Sequence, residues 1–269
     1  GDKQKIKNIN YCYPFSEGYA VISSANKYGY CNTSGKIVIP MRYTSANSFR
    51  EGLAGVGIDK KGKKYYGFID SKGKWIINPE YDFVFAFSDG LAAVKKEDKW
   101  GFINMKGESM IKNKYRAVWS FSEGLAPVCK KNIWGCVDKN DTVVIPFEFK
   151  RINSFSEGLA IASDDSGQYG YINKKGSFVI PPSFDNCLDF SEGLASVSKN
   201  DKWGYIDKKG NYVVPVQYKN CYSFDGGIAR VIISGHKYMM NGEHGYINKK
   251  GEFIFRDNGK KRNNGDTLH

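Results

Sequence analysis

Apolar and polar positions along this chain alternate in short runs punctuated by glycine-bearing turns, and nowhere do they adopt the 3.6-residue period of a helix face. In the clearest copy, Gly193 to Val197 reads as a strand entered through the turn Phe190-Ser191-Glu192-Gly193. Lys202 to Asp207 reads as a second strand and Tyr212 to Pro215 as a third. The stretch from Tyr218 to Phe224 is expected to add a short outer strand, because the proline before it limits further pairing. The leading phenylalanine recurs at Phe15, Phe49, Phe87, Phe121, Phe155, Phe190 and Phe224, at intervals of 34, 38, 34, 34, 35 and 34 residues. A period of this length marks supersecondary units that stack or close on themselves. The pattern predicts an all-β chain of seven repeats.

The chain begins and ends in mid-repeat. An aromatic six residues ahead of each phenylalanine recurs at Tyr43, Tyr81, Tyr115, Phe149, Phe184 and Tyr218. After Phe253-Ile254-Phe255 of the seventh repeat, the polar stretch Asp257-Asn258-Gly259-Lys260-Lys261-Arg262 stands in its place. The missing segment has a counterpart at the other end, where Ile6 to Phe15 aligns with Pro215 to Phe224, Cys12 with Cys221 and Tyr13 with Tyr222. An open β-solenoid of the same repeats would need polar capping units instead. A ring uses such a permutation, because an N-terminal strand can complete the last blade and remove its exposed edge. The expectation is a seven-bladed β-propeller over residues 5–256, a single domain in which residues 6–15 pair with strand 252–256. A polar tail, 257–269, follows it.

Two further elements recur in every copy. The turn between second and third strands starts at Asn32, Asp70, Asn104, Asp138, Asn173, Asp207 and Asn248 and ends in glycine, except that Asp141 fills the glycine slot of the fourth repeat. Asx first and a left-handed residue last is the demand of a type I turn with a bulge. An aromatic-glycine pair recurs as Tyr28-Gly29, Tyr66-Gly67, Trp100-Gly101, Trp134-Gly135, Tyr169-Gly170 and Trp203-Gly204, with His244-Gly245 in the seventh. A ring beside a residue without Cβ suggests packing where two backbones come close, rather than a ligand-stacking ring. The Phe-Ser-Glu-Gly-Leu-Ala, Lys-Trp-Gly-Tyr-Ile-Asp and Lys-Lys-Gly elements together resemble bacterial WG (KWG) repeats over residues 5 to 256. That family is defined by its repeat, so the resemblance implies a β-propeller interaction module and assigns no catalytic residue.

Composition narrows the picture. Apolar residues make up 41% and aromatics 15%, enough for a sizeable core. No run of about 18 apolar residues appears, so no transmembrane segment is expected. The chain opens with Gly1-Asp2-Lys3 rather than methionine, as if something upstream had been removed. Six cysteines occur without metal-binding spacing, and Cys12, Cys187 and Cys221 share one repeat position. They read as reduced packing residues, which favours a reducing cytoplasm over a secreted or envelope location.

Candidate chemistry falls on two faces. Six turn acids, Glu17, Glu51, Asp89, Glu123, Glu157 and Glu192, could ring a cation, but the lysines of the Lys-Lys-Gly turns share that face and should offset them. On the opposite face the spacing from alanine to the Trp-Gly glycine is usually nine residues, but it is thirteen from Ala54 to Gly67 and sixteen from Ala229 to Gly245. Departures from a repeat are where function is grafted. The expected partner site is therefore Lys61, Lys63, Lys64, Tyr65 and Tyr66 together with His236, Lys237, Tyr238, Met239 and Met240, over blades seven, one and two. The leading reading is a monomeric, non-catalytic scaffold for a protein or peptide partner, with no cofactor and no metal. A net charge of +12 supports an alternative, a polyanion- or nucleic-acid-binding module. A third reading, an enzyme with channel-lining acids such as Glu123 or Glu157, finds no Gly-x-Ser-x-Gly, phosphate loop or His-Glu-x-x-His to support it.

Overall fold

The computed structural model describes residues 9–235 and 242–257. These form seven four-stranded antiparallel sheets, each built from one contiguous stretch: residues 11–43, 45–81, 83–115, 117–149, 151–184, 186–218 and 220–257. Strand order follows chain order in every sheet, the blade pattern of a β-propeller. The chain divides into two compact units whose boundary falls in the fourth repeat. One unit runs to Asn132 and takes in Cys136–Val143; the other comprises Ile133–Gly135 and the chain from Val144 onward. Among the described residues no helix is long and apolar enough to cross a membrane.

The sixth sheet shows how the repeat makes a blade. Leu194–Lys199 and Lys202–Asp207 form a hairpin whose pairing runs from Leu194↔Asp207 to Lys199↔Lys202, closed by Asn200 and Asp201, both at positive φ. The third strand is longer than the pattern predicts and passes through its proline, from Tyr212 to Tyr218. It can do so because the register jumps from Tyr205↔Val214 to Trp203↔Tyr218, leaving Gly204 opposite a bulge. The proline, which has no N–H to donate, sits in that bulge on an edge strand, where none is required. Pro40, Pro146 and Pro181 occupy the same exposed place.

The bulge explains the invariant glycine of each Trp-Gly pair. A Cβ at Gly29, Gly67, Gly101, Gly170 or Gly204 would lie 2.4 Å from a carbonyl oxygen of the third strand. No larger residue fits there. The neighbouring aromatic is half-buried; Trp100, for example, stacks on Phe85 at 4.9 Å. The close approach expected from the sequence is therefore the actual constraint.

The short strand is placed differently from expectation. Asn220–Cys221 does not finish the sixth sheet but opens the seventh, pairing with Ile232 and Val231. By the same rule Tyr11–Cys12 pairs with Ser23 and Ile22 of the first sheet. The expected pairing of residues 6–15 with strand 252–256 does not occur among the described residues: Phe253–Asp257 pairs with His244–Asn248 in its own sheet. The cause is local. Only one residue separates the long third strand from the short strand, so the chain crosses to the next blade before it pairs again.

Candidate functional site

The turn acids have structural partners. Each Glu or Asp of the Phe-Ser-Glu-Gly turn has φ between 52° and 55°, with glycine following at positive φ. Ser16 and Tyr19 exchange backbone hydrogen bonds across this two-residue turn. Two successive positive φ values define a type I′ turn, which turns its own N–H groups toward the neighbouring blade. The Glu17 carboxylate accepts from the N–H groups of Glu51 and Gly52 at 2.7 and 2.9 Å. Glu51 accepts from Gly90, Asp89 from Gly124, Glu157 from Gly193 and Glu192 from Gly227. Lysines complete the arrangement, Lys208 at 3.0 Å from Glu157 and Lys249 at 2.9 Å from Glu192. Burial pushes the Glu157 carboxyl up, but the hydrogen bonds from Lys208 and Gly193 outweigh it and hold the group below the ordinary glutamate range. The expected offset between acids and lysines is thus direct pairing. No group of three or more metal-ligating side chains assembles among the described residues.

The second repeat carries the departure that the sequence marks. What its spacing suggests is a long loop is instead a hairpin extended by two rungs. Ala54–Lys60 and Lys63–Ile69 pair continuously from Ala54↔Ile69 to Lys60↔Lys63, whereas the third repeat's hairpin stops at Lys96↔Lys99, two rungs past its glycine. Lys61 and Gly62 close the turn at φ 53° and 79°, and Asp59 accepts a hydrogen bond from the Gly62 N–H at 3.0 Å.

Beyond the glycine rung the hairpin forms one wall of an open groove of about 700 Å3, lined by Lys60, Lys61, Lys63, Tyr65, Pro79 and Glu80. Tyr65 is half-buried beneath two cations, with Lys63 Nζ 5.1 Å and Lys60 Nζ 5.8 Å from its ring centre. Such stacking fixes the lysine stems, and Lys60 Nζ also donates to the Pro79 carbonyl at 3.4 Å. Lys63 also pairs with Asp82 at 3.0 Å, and Asp82 accepts from the Glu97 N–H. The Lys63 hydrogen bond holds the Asp82 carboxyl low, and the same contact raises Lys63.

Of the residues expected from the sequence, Lys61, Lys63 and Tyr65 come together here. Lys64 lines a separate concavity with Ala25, Asn26, Lys27, Tyr28 and Thr44. Tyr66 packs against the core of the second and third sheets, 5.2 Å from Phe83. It is the aromatic of its Trp-Gly pair and serves packing. His236, Lys237, Tyr238, Met239 and Met240 lie outside the described residues. The acids Glu80 and Asp82 and the ring of Pro79 were missed, because they come from the following strand and connection, where the sequence keeps its normal spacing.

A family model described as "WG containing repeat" matches residues 7–28, 28–63, 66–100, 100–132, 134–166, 169–203 and 203–235. Among solved structures, the chain is similar to BamB from Moraxella catarrhalis, with a TM-score of 0.53, 11% identity, and coverage of 92% of this chain and 87% of that one. It is likewise similar to Hsv2 from Kluyveromyces lactis, with a TM-score of 0.53, 10% identity, and coverage of 92% and 98%. At these identities the likeness establishes the β-propeller fold alone. Among curated proteins no sequence match is found.

Proposed function

We propose, since the chain belongs to the WG-containing repeat family, that it is a non-catalytic interaction scaffold holding a protein or peptide partner at the groove of the extended second-repeat hairpin. One observation carries the reading. The repeat makes most surfaces equivalent, and this hairpin tip gathers three lysines, a tyrosine and a proline around a concavity. A tyrosine anchor is what specific interfaces favour at their centre, and charged side chains such as these lysines belong to the polar rim around it. The lysines suit a partner carrying carboxylates, and Tyr65 suits an apolar side chain beside them.

The test removes Asp59, Lys60, Lys63 and Lys64, which restores the nine-residue spacing and leaves Lys61-Gly62 as the turn. Quantitative capture from the source cell, run in parallel with the intact chain, should lose a defined partner. Retention of every partner by the shortened chain places the site elsewhere.

A second reading, polyanion binding, is favoured by the net charge of +12. It separates from the first on salt: duplex DNA or heparin held by several lysines should lose affinity linearly in log salt, with a slope near the number of phosphates neutralised. Binding of those probes that is flat from low to high salt removes this reading.

A further inference from the structure

A second concavity, of about 380 Å3, opens beside the short strands of three consecutive sheets. Asn47 comes from the second sheet's segment, Phe83, Val84 and Phe85 from the third, Trp119 and Ser120 from the fourth. All of these residues belong to one compact unit, the one that runs to Asn132. None of them lines the hairpin groove. Two residues ahead of the leading phenylalanine these repeats carry Asn47, Phe85 and Trp119, whereas the next two carry Asn153 and Leu188. The repeat does not require an aromatic there.

The aromatics brace one another. Phe85 stacks on Trp100 at 4.9 Å, and Phe83 stands edge-on to both, 5.8 Å from Phe85 and 6.0 Å from Trp100. Phe83 nevertheless stays 42% exposed, and Trp119 38%. Rigid aromatic area left in contact with water inside a concavity is area that a ligand can cover.

Asn47 supplies the polar counterpart. Its N–H donates to the Gly55 carbonyl at 2.9 Å and its carbonyl accepts from the Tyr30 hydroxyl at 2.7 Å, so its backbone is satisfied. Its side chain lies over Gly55, where a Cβ would come within 3.2 Å of Nδ2 and 2.9 Å of Val84 Cγ2. The half-buried carboxamide has no hydrogen-bond partner among the described residues. Asn153, at the same repeat position, accepts a hydrogen bond from Arg151 at 3.1 Å. The Asn47 amide is thus left to water or to a ligand. No lining residue is ionisable, so a charged ligand would shed its water without meeting a counter-ion. A saccharide, whose many hydroxyls need partners, fits poorly against a lining with two polar side chains.

We propose that this concavity binds an uncharged planar heterocycle whose edge carries a hydrogen-bond donor beside an acceptor, with adenine as the simplest probe of the class. The ring stacks against the exposed aromatic faces. Its edge meets the Asn47 carboxamide, which offers a donor and an acceptor side by side, the pairing by which asparagine reads adenine. Stacking supplies affinity for any flat ring, and the amide supplies the choice among them.

The test is calorimetric titration of the full chain with adenine and with indole, a bicycle of similar outline that has a donor and no ring acceptor. Adenine should bind saturably at one site, and indole about tenfold more weakly or worse. Asn47→Leu keeps the bulk and removes the amide, so it should bring adenine down to the level of indole and leave indole unchanged. Trp119→Ala should weaken both ligands about tenfold. Absence of saturable adenine binding overturns the proposal, as does equal binding of adenine and indole by the native chain, a comparison that needs no variant. Undiminished adenine binding by a folded Asn47→Leu chain overturns it too.

Discussion

The hairpins of the second and third repeats begin alike and finish differently. Up to the glycine rung, Val56↔Gly67 in one and Val94↔Gly101 in the other, they have the same register, the same buried strand and the same bulge opposite. Past that rung the third stops after two pairs, while the second adds two more and carries Lys60, Lys61, Lys63 and Tyr65 into a groove. Below the glycine, side chains are dictated by contact with a neighbouring backbone. One rung above it Gly57 still pairs with Ser45 and Tyr66 with Tyr81; beyond that rung neither strand has a further neighbour in its own sheet, and residue choice is free for recognition.

The largest expected effect breaks the shared part. Gly67→Ala drives a methyl to 2.4 Å from the Ile77 carbonyl oxygen, on a backbone that cannot yield without losing the bulge. It should cost about 3 kcal/mol or more, a drop of roughly 6–12 °C in melting temperature. Gly62→Ala in the same hairpin meets nothing within 4 Å and faces only its positive φ of 79°, so about 1 kcal/mol is expected. Equal losses for the two would dissolve the distinction between frame and tip.

Tyr205→Phe is milder in shape, since Phe68 and Phe102 already occupy that position, but it leaves the Tyr222 carbonyl without its hydroxyl donor. Denaturant melts should show a loss of about 1–2 kcal/mol. Acid titration tests the inter-blade acids. Glu157 titrates below its unfolded value, so its contribution is complete above the ordinary glutamate range and disappears as pH falls through the folded value. Stability should therefore fall from about pH 5 to pH 3, less steeply in Glu157→Gln. The smallest effect is expected for Tyr65→Ala, within about 0.5 kcal/mol of the native chain, with partner capture as the property that changes.

The repeat itself was legible because each of its demands is local: Asx and glycine three residues apart for the turn, glycine after an aromatic for the bulge. Asp141, at φ 64°, fills the glycine slot as the sequence suggests, and adds a hydrogen bond from Tyr115 that no spacing announces. Errors came from contacts between repeats. The Glu17 class looked like a possible cation ring because its acceptor role is met by N–H groups some 34 residues onward. The proline of Tyr212–Tyr218 looked like a strand end because a bulge opposite Gly204 cannot be seen in one strand alone. At the groove, the lysines stood out through changed spacing, whereas Pro79, Glu80 and Asp82 sit in ordinary copies of the repeat.

Since every sheet is drawn from one uninterrupted stretch of chain, no strand pairing has to wait for a distant partner to be synthesised. A chain leaving the ribosome can complete blade after blade in the order of translation, with the low contact order that speeds folding in proteins of local topology. At five junctions a finished blade presents an aromatic on which the next emerging phenylalanine docks, as Tyr205 does for Phe224, so the template for those steps already exists when the residues appear.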